Sequence, residues 1–134
     1  MPSDGYRLHS AVLAPDLRIE ITSVHGTVVC TVAGYLHSDN EDHLRRALDD
    51  VLGRRPTMIA IGLAAVRLFT SSSLNALLTA RRAAHDRGVP LVLVAPSRGV
   101  RHVLEITETH RVFRTVPSFD EAVRPHRGPP PDTV

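Results

Sequence analysis

Residues 57–63 read TMIAIGL and residues 89–95 read VPLVLVA, and these two apolar runs decide the fold. Neither run alternates apolar and polar residues as a half-buried strand does. The absence of alternation is typical of strands covered on both faces. Residues 71–87, which lie between them, carry leucine and alanine at helical spacing and stop at Gly88. The segment therefore predicts a β-α-β unit with two buried parallel strands.

The sequence before this unit predicts a hairpin. Residues 17–22 alternate apolar and polar side chains, the period of an edge or near-edge strand with one buried face. His25 and Gly26 favour a tight turn into a second strand at 27–33. We therefore expect two antiparallel strands ahead of the first helix.

A helix is expected next. Ser38 and Glu41 have the spacing of a capping box, in which each side chain accepts a backbone N–H at the start of a helix. Apolar residues at helical spacing follow, and Gly53 stands where a left-handed C-cap is wanted. The pattern predicts a helix over 39–52.

After the second buried strand, Ser97 is expected to cap a third helix and residues 111–116 to form a last short strand. A second Ser-x-x-Glu spacing, at Ser118 and Glu121, predicts a short helix that ends near Val123. The sum is an α/β fold of the order ββαβαβαβα, with a mixed β-sheet whose parallel strands are joined by helices.

The two ends of the chain have no hydrophobic period. We expect residues 1–16 to be a flexible N-terminal segment and residues 125–134, which include three consecutive prolines, to be a disordered tail. The folded domain is then expected to span 17–124. A chain of 134 residues suffices for one domain of this kind.

Composition excludes several classes of function. Cys30 is the only cysteine, so one chain can build neither a disulfide framework nor a cysteine zinc site. All 16 basic residues are arginine, a bias typical of a GC-rich bacterial genome. Because the chain has no lysine, lysine Schiff-base chemistry and Walker-type loops are excluded. A formal charge of +2 and the absence of tryptophan argue against nucleic-acid binding. No apolar run has the length of a membrane span and no signal peptide is recognisable, so we expect a cytoplasmic protein without a cofactor.

The segment Thr70–Leu74 joins the first buried strand to its helix and holds three serines. Serines at a helix start lie beside unpaired backbone N–H groups and the positive end of the helix dipole, where a phosphate would be tolerated. The simpler interpretation is that one serine is an N-cap and the others are small loop residues. Spacing alone leaves both open.

From about Leu17 to Val123 the chain resembles the STAS domain, the fold of the anti-sigma factor antagonists. The resemblance is carried by the strands and by several short stretches, which are 28–36, 59–69, Ser71-Ser72 with Leu74, 88–94, Val103-Leu104 and 111–113. In that family, a kinase-type anti-sigma factor phosphorylates a serine that corresponds to Ser72. The unphosphorylated form binds the anti-sigma factor and so frees the sigma factor.

The resemblance implies a set of site residues. Ser72 would be the phosphorylation site, with Ser71 as second choice, and partner binding would involve Thr70, Ser71, Ser72, Ser73, Leu74 and His37. The chain departs from the family, which usually has Asp at His37, Gly62 and Thr70, and Gly at Ser73 and Glu108.

Other chemistry has less support. A cluster of potential metal ligands lies near the first helix, at His37, Asp39, Glu41, Asp42 and His43. The capping box and the helix dipole account for its carboxylates, so no metal site is predicted. No Gly-x-Ser-x-Gly elbow surrounds the serines, so we expect no catalytic residue and no enzyme.

The sequence therefore predicts an anti-sigma factor antagonist-like regulatory protein, whose partner is an anti-sigma factor with serine kinase activity and which serine phosphorylation switches off. The alternative is a degenerate STAS scaffold or small-ligand-binding module without the switch. A homodimer is left open.

Overall fold

The computed structural model describes residues 7–123, with side chains from 11 to 122. Within these residues the chain forms six strands and four helices, which are β1 (Arg7–Ala14), β2 (Leu17–Val24), β3 (Thr27–Tyr35), α1 (Glu41–Gly53), β4 (Met58–Leu68), α2 (Ser71–Asp86), β5 (Leu91–Val94), α3 (Arg98–Ile106), β6 (Arg114–Val116) and α4 (Phe119–Val123). A 3-10 helix, Thr109–Arg111, precedes β6.

All six strands join one sheet in the order β1-β2-β3-β4-β5-β6. The first three strands pair antiparallel and β3 to β6 pair parallel, so the sheet is mixed. The predicted mixed α/β fold is thus confirmed, with one more strand than expected. Because the parallel strands are neighbours in order, the helices that connect them lie in a row and begin at the same edge of the sheet.

The β2–β3 hairpin follows the sequence prediction. Its two turn residues, His25 and Gly26, have φ values of 51° and 87°. Positive φ at both central positions defines a type I′ turn, which matches the twist of the flanking strands. Glycine reaches this conformation without a steric cost. The register then pairs Val24 with Thr27.

The two faces of the sheet are covered unequally. The face below α1, α2 and α3 holds the larger core, in which the fully buried side chains include Ile19, Val32, Leu44, Ile61, Leu77, Leu93 and Leu104. The opposite face holds a smaller cluster beneath α4, composed of Val29, Ala60, Val92, Val94, Val116 and Ala122. The apolar runs of β4 and β5 are therefore covered on both faces, which explains why they show no alternation of apolar and polar residues.

The expectation that residues 1–16 are flexible is wrong for the part that the structure describes. Arg7–Ala14 forms β1, which pairs antiparallel with β2 along its length, with one irregularity between Leu8 and Ser10. Val12 and Ala14 pack against the core while Leu13 is 70% exposed. Because the inward and outward positions are both apolar, no alternation marks this strand in the sequence. Residues 1–6 and the predicted tail 125–134 lie outside the described residues.

Several boundaries also differ from the predictions. β4 continues to Leu68, five residues beyond the predicted apolar run. β6 begins only at Arg114, because a 3-10 helix and the turn that follows it occupy residues 109–113. α1 begins at Glu41 with Asn40 as N-cap, so the box at Ser38 does not cap it. Gly53 lies within α1, and the left-handed residue is Arg55, with φ of 53°.

Candidate functional site

The serine segment and the segment before α1 lie at the same edge of the sheet. They follow the carboxyl ends of β4 and β3, which are adjacent parallel strands. The backbone N–H of Leu36 donates to the carbonyl of Leu68 at 3.0 Å, which ties the two segments together just before each helix begins. Loops at this edge of a parallel sheet commonly form binding sites.

Thr70, and not a serine, caps α2. Its extended backbone and its Oγ1, which accepts the Ser73 N–H at 3.2 Å, make it the N-cap residue. Its carbonyl accepts the N–H of Leu74 at 3.0 Å, the first bond of the helix. Threonine therefore supplies here the oxygen that aspartate supplies at an N-cap, without the negative charge. The interpretation in which a serine caps the helix is wrong.

The three serines differ in their exposure. Ser73 is fully buried, and its Oγ lies 3.0 Å from the Oγ1 of Thr70. Leu74 is also buried and packs in the core, so its predicted contact with a partner has no exposed side chain to make it. Ser71 and Ser72 are exposed. Of the three hydroxyls, only these two lie at the surface where another protein could reach them.

Ser72 lies in a groove between the N-terminal halves of α1 and α2. The groove is lined by Glu41 and Arg45 of α1 and by Ser72, Asn75, Ala76 and Thr79 of α2. Arg45 pairs with Asp42 and lies 3.9 Å from the carboxylate of Glu41. The Glu41 side chain is only 12% exposed, while that of Arg45 is half exposed. The structure thus places one arginine and one nearly buried carboxylate beside the exposed hydroxyl of Ser72.

His37 belongs to a separate polar cluster at the same edge of the sheet. Its Nε2 donates to Asp16 Oδ2 at 2.9 Å, and its Nδ1 accepts the Asp39 N–H at 3.3 Å. The hydrogen bond from His37 is the main reason that the pKa of Asp16 lies below its usual value, with a smaller contribution from Asn40, while desolvation acts in the opposite direction. A carboxylate is thus present beside position 37, and it comes from the β1–β2 turn.

Asn40 holds this cluster in place. It is 6% exposed, its Oδ1 accepts the His37 N–H at 3.0 Å, and its Nδ2 donates to the carbonyl of Tyr35 at 2.9 Å and to Asp16 at 3.2 Å. A buried side-chain amide that satisfies both its oxygen and its nitrogen fixes the loop between β3 and α1. Neither Asn40 nor Asp16 was among the predicted site residues; the Pro15-Asp16 pair between two apolar stretches was the available signal for a turn.

Two exposed apolar side chains extend the surface beside these loops. Tyr35 and Leu68 are paired in register at the ends of β3 and β4 and are 42% and 43% exposed. Exposed aromatic and aliphatic side chains next to polar loops are frequent in protein interfaces. Sequence analysis did not single them out, because each follows an apolar strand whose pattern indicates burial.

The predicted ligand-type residues do not come together as a metal site. Among residues 7–123, no group of three or more His, Cys, Asp or Glu side chains is arranged to hold a metal ion. His37 pairs with Asp16, and the carboxylates of Glu41 and Asp42 share Arg45. Cys30 is fully buried, and burial raises the pKa of its thiol to about 12. It therefore remains a neutral thiol at physiological pH and is no nucleophile.

Two further departures from the family pattern have a structural explanation. At Gly62, a Cβ atom would lie 2.8 Å from the ring of Phe119, so the absence of a side chain lets α4 pack onto the sheet. Glu108, at a usual glycine position, keeps the left-handed conformation with φ of 62°. The backbone geometry that favours glycine is therefore retained although the residue has changed.

Comparison with known proteins agrees with this architecture. A family model described as STAS domain matches residues 18–122. An anti-sigma factor antagonist from Mycobacterium paratuberculosis is similar with a TM-score of 0.71 and 22% identity, over 84% of this chain and 96% of that one. The anti-sigma factor antagonist SpoIIAA in its unphosphorylated form gives 0.68 and 18%, over 81% and 99%. The Bacillus cell fate determinant SpoIIAA in the phosphorylated form gives 0.61 and 16%, over 89% and 97%.

At these identities the structural similarity establishes the fold. A search of curated proteins gave no match. Within residues 7–123, the structure contains no helix whose length and apolar character would let it cross a membrane.

Proposed function

Since the chain belongs to the STAS domain family, we propose that it is an anti-sigma factor antagonist-like regulator. It binds an anti-sigma factor of the serine kinase type through the edge of the sheet that carries the serine segment and His37. Phosphorylation of Ser72 ends this binding. The protein is a substrate of the kinase and not itself a catalyst, and it acts in the cytoplasm.

The observation that carries this proposal is that the four hydroxyl residues at the start of α2 differ in their contacts and exposure. Thr70 and Ser73 are used for capping and packing, while Ser71 and Ser72 are exposed. Next to them lie the exposed Tyr35 and Leu68. A kinase can reach a serine only when its hydroxyl is accessible, and an interface needs apolar area to bury.

The mechanism of release is electrostatic. The kinase transfers the γ-phosphoryl group of ATP to Ser72 Oγ, which loses its proton, and ADP leaves. The phosphoserine carries about −1.5 to −2 charges at neutral pH. An interface that formed around a neutral hydroxyl must then desolvate this charge, which weakens binding.

Intact-mass spectrometry tests the proposal directly. The protein is incubated with ATP and candidate anti-sigma kinases, and the expected product carries one added phosphate. Ser72→Ala should abolish the mass increase, while the matched variant Ser71→Ala should retain it. The same two variants are then measured for affinity to the anti-sigma factor. Ser72→Ala should bind as the unmodified wild type does, and its affinity should not change with ATP.

The assignment has clear contrary outcomes. Phosphate on Ser71 would keep the mechanism and reject Ser72 as the site. If no kinase modifies the protein and no anti-sigma factor binds it, the proposed function is rejected.

The second candidate function is a scaffold or small-ligand-binding module without the switch. It is favoured by two grooves that flank Phe119 on the face opposite α1 and α2. One is almost entirely apolar, with Gly62, Ala65 and Val94 among its lining residues, and the other includes Thr22 and Thr31. This function predicts that a ligand raises the melting temperature equally in wild type and Ser72→Ala, and that Phe119→Ala removes the effect.

The sequence leaves a homodimer open. Sedimentation analysis over a range of protein concentrations would measure whether two chains associate.

A further inference from the structure

The groove that contains Ser72 holds an arrangement of charges that the proposed switch does not require. Its walls come from two helices that begin at the same edge of the sheet. On the α2 wall, Ser72, Asn75 and Thr79 are polar but uncharged, so every charged group lining the groove comes from α1, namely Glu41 and Arg45. Arg45 is therefore the cation that lines the same groove as an anion placed on Ser72.

In the unmodified protein, Arg45 is shared between two carboxylates of its own helix. It pairs with Asp42 one turn earlier and lies 3.9 Å from Glu41. The longer of these contacts, to Glu41, is at the limit of an ion pair and involves the nearly buried carboxylate. Because half of the Arg45 side chain is exposed, its guanidinium can turn without disturbing the core.

A phosphate on Ser72 would compete for this guanidinium. Arginine binds phosphate through two parallel N–H···O bonds, and a phosphate near −2 attracts it more strongly than one carboxylate does. The helix start adds favourable potential from the dipole of α2. The same phosphate would face the carboxylate of Glu41 across the groove, which opposes its second ionisation.

We propose that Arg45 is the phosphate-binding residue of this protein. Its guanidinium leaves Glu41 and binds the phosphate of phosphorylated Ser72, and the carboxylate of Glu41 opposes this binding. The proposal rests on the proposed function in placing the phosphate at Ser72. It adds that a cation of α1, and not the start of α2 alone, stabilises the phosphate on Ser72. The phosphate oxygens accept hydrogen bonds from the guanidinium N–H groups, and no covalent bond to Arg45 is formed or broken.

The experiment installs phosphoserine at position 72 during synthesis, so it needs no kinase. The second ionisation of the phosphate is followed by phosphorus NMR as a function of pH, and its midpoint is compared among variants that also carry this phosphoserine. Arg45→Gln should raise the midpoint by about 0.5 unit or more, because the charge that favours the dianion is removed. Glu41→Gln should lower it. Arg45→Lys should restore only part of the wild-type midpoint, because lysine keeps the charge and loses the fork.

The matched control is Arg46→Gln, which removes an exposed arginine of the same helix that does not line the groove. The proposal is overturned if Arg45→Gln and Arg46→Gln shift the midpoint equally, or if neither does. Phosphoserine placed at position 71 gives a second reference, whose midpoint should not respond to Arg45→Gln. If no kinase modifies the protein and no anti-sigma factor binds it, the proposed function is rejected while this midpoint comparison is unaffected, so the two failures are distinguishable.

Discussion

The chain contains the spacing Ser-x-x-Glu twice, and only one of the two copies caps its helix. At the start of α4, Ser118 Oγ accepts the Glu121 N–H at 3.2 Å. At the start of α1, the Glu41 N–H donates instead to the carbonyl of His37 at 3.0 Å, and the N-cap residue Asn40 makes no side-chain cap. The same four-residue pattern therefore leads to different structures.

The difference lies in what surrounds each copy. The segment before α1 is held by Asn40, whose amide bonds to the backbone on one side and to Asp16 of another turn on the other. This network draws the chain into a turn that takes the Glu41 N–H away from Ser38. Among residues 7–123, no comparable network of hydrogen bonds involves Ser118, so its local preference decides the structure. A capping motif thus forms where no stronger contact claims its donors.

The largest effect that would break this comparison is expected from Asn40→Ala. The substitution removes three hydrogen bonds and leaves the Tyr35 carbonyl without its side-chain donor. The free energy of unfolding should fall by about 2–3 kcal/mol, the range for a buried polar network with unsatisfied groups. Denaturant titration measures it, with the exposed Asn75→Ala as matched control. Equal stability of the two variants would show that the Asn40 network does not hold the loop.

A smaller loss is expected from Ser118→Ala. Removing an N-cap oxygen lowers the free energy of unfolding by about 1 kcal/mol. Ser118→Thr, which keeps an acceptor at the same position, should recover most of the loss. Both values come from the same denaturant titrations. A Ser118→Ala protein as stable as wild type would show that the second cap is no more important than the first.

Ser38→Ala sharpens the comparison from the other side. Because Ser38 is exposed and does not cap α1, the free energy of unfolding should change by less than about 0.5 kcal/mol. The measurement is paired with Ser118→Ala under identical conditions. A loss from Ser38→Ala as large as that from Ser118→Ala would mean that the box at 38–41 forms in solution.

The smallest effect concerns the contact between Asp16 and His37. The pKa of Asp16 is lowered, so its ionised form stabilises the fold above the ordinary value of 3.8, and this stabilisation is lost as pH falls through the lowered pKa. His37→Ala removes the main cause, so the Asp16 pKa should rise toward 3.8 and the stabilisation that ionised Asp16 contributes above this pH should shrink. Carboxyl NMR titration measures the midpoint, with His43→Ala as control. An unchanged midpoint in His37→Ala would contradict the hydrogen bond.

Much of the fold was predictable because its signals are local. The buried strands β4 and β5 and the type I′ turn at His25-Gly26 follow from contiguous residues, and so does the cap at Ser97, whose Oγ accepts the Val100 N–H. β1 was missed for the opposite reason. An edge strand is held by backbone hydrogen bonds to one neighbour, and its run of apolar residues, Ala11 to Ala14, gives no alternation to detect.

The candidate site was predictable only in part. The serine segment and its family resemblance could be seen in the sequence, but the roles of its members could not. Ser71, Ser72 and Ser73 are identical in chemistry, and only packing against the core makes one of them buried and leaves two exposed. Thr70 and not one of these serines is the N-cap residue, because its backbone is extended and its side chain accepts the Ser73 N–H.

The amino-acid sequence by itself determined the order of the strands and helices after β1, the hairpin turn and the second Ser-x-x-Glu cap, since each depends on residues a few positions apart. Only the tertiary structure decided which hydroxyls are accessible, that Asp16 meets His37 from 21 residues away and that Arg45 and Ser72 line one groove. Such contacts join segments that are distant in the chain. Their free energy depends on desolvation and on the distances between charged groups in the folded protein. No local pattern of residues reports these quantities.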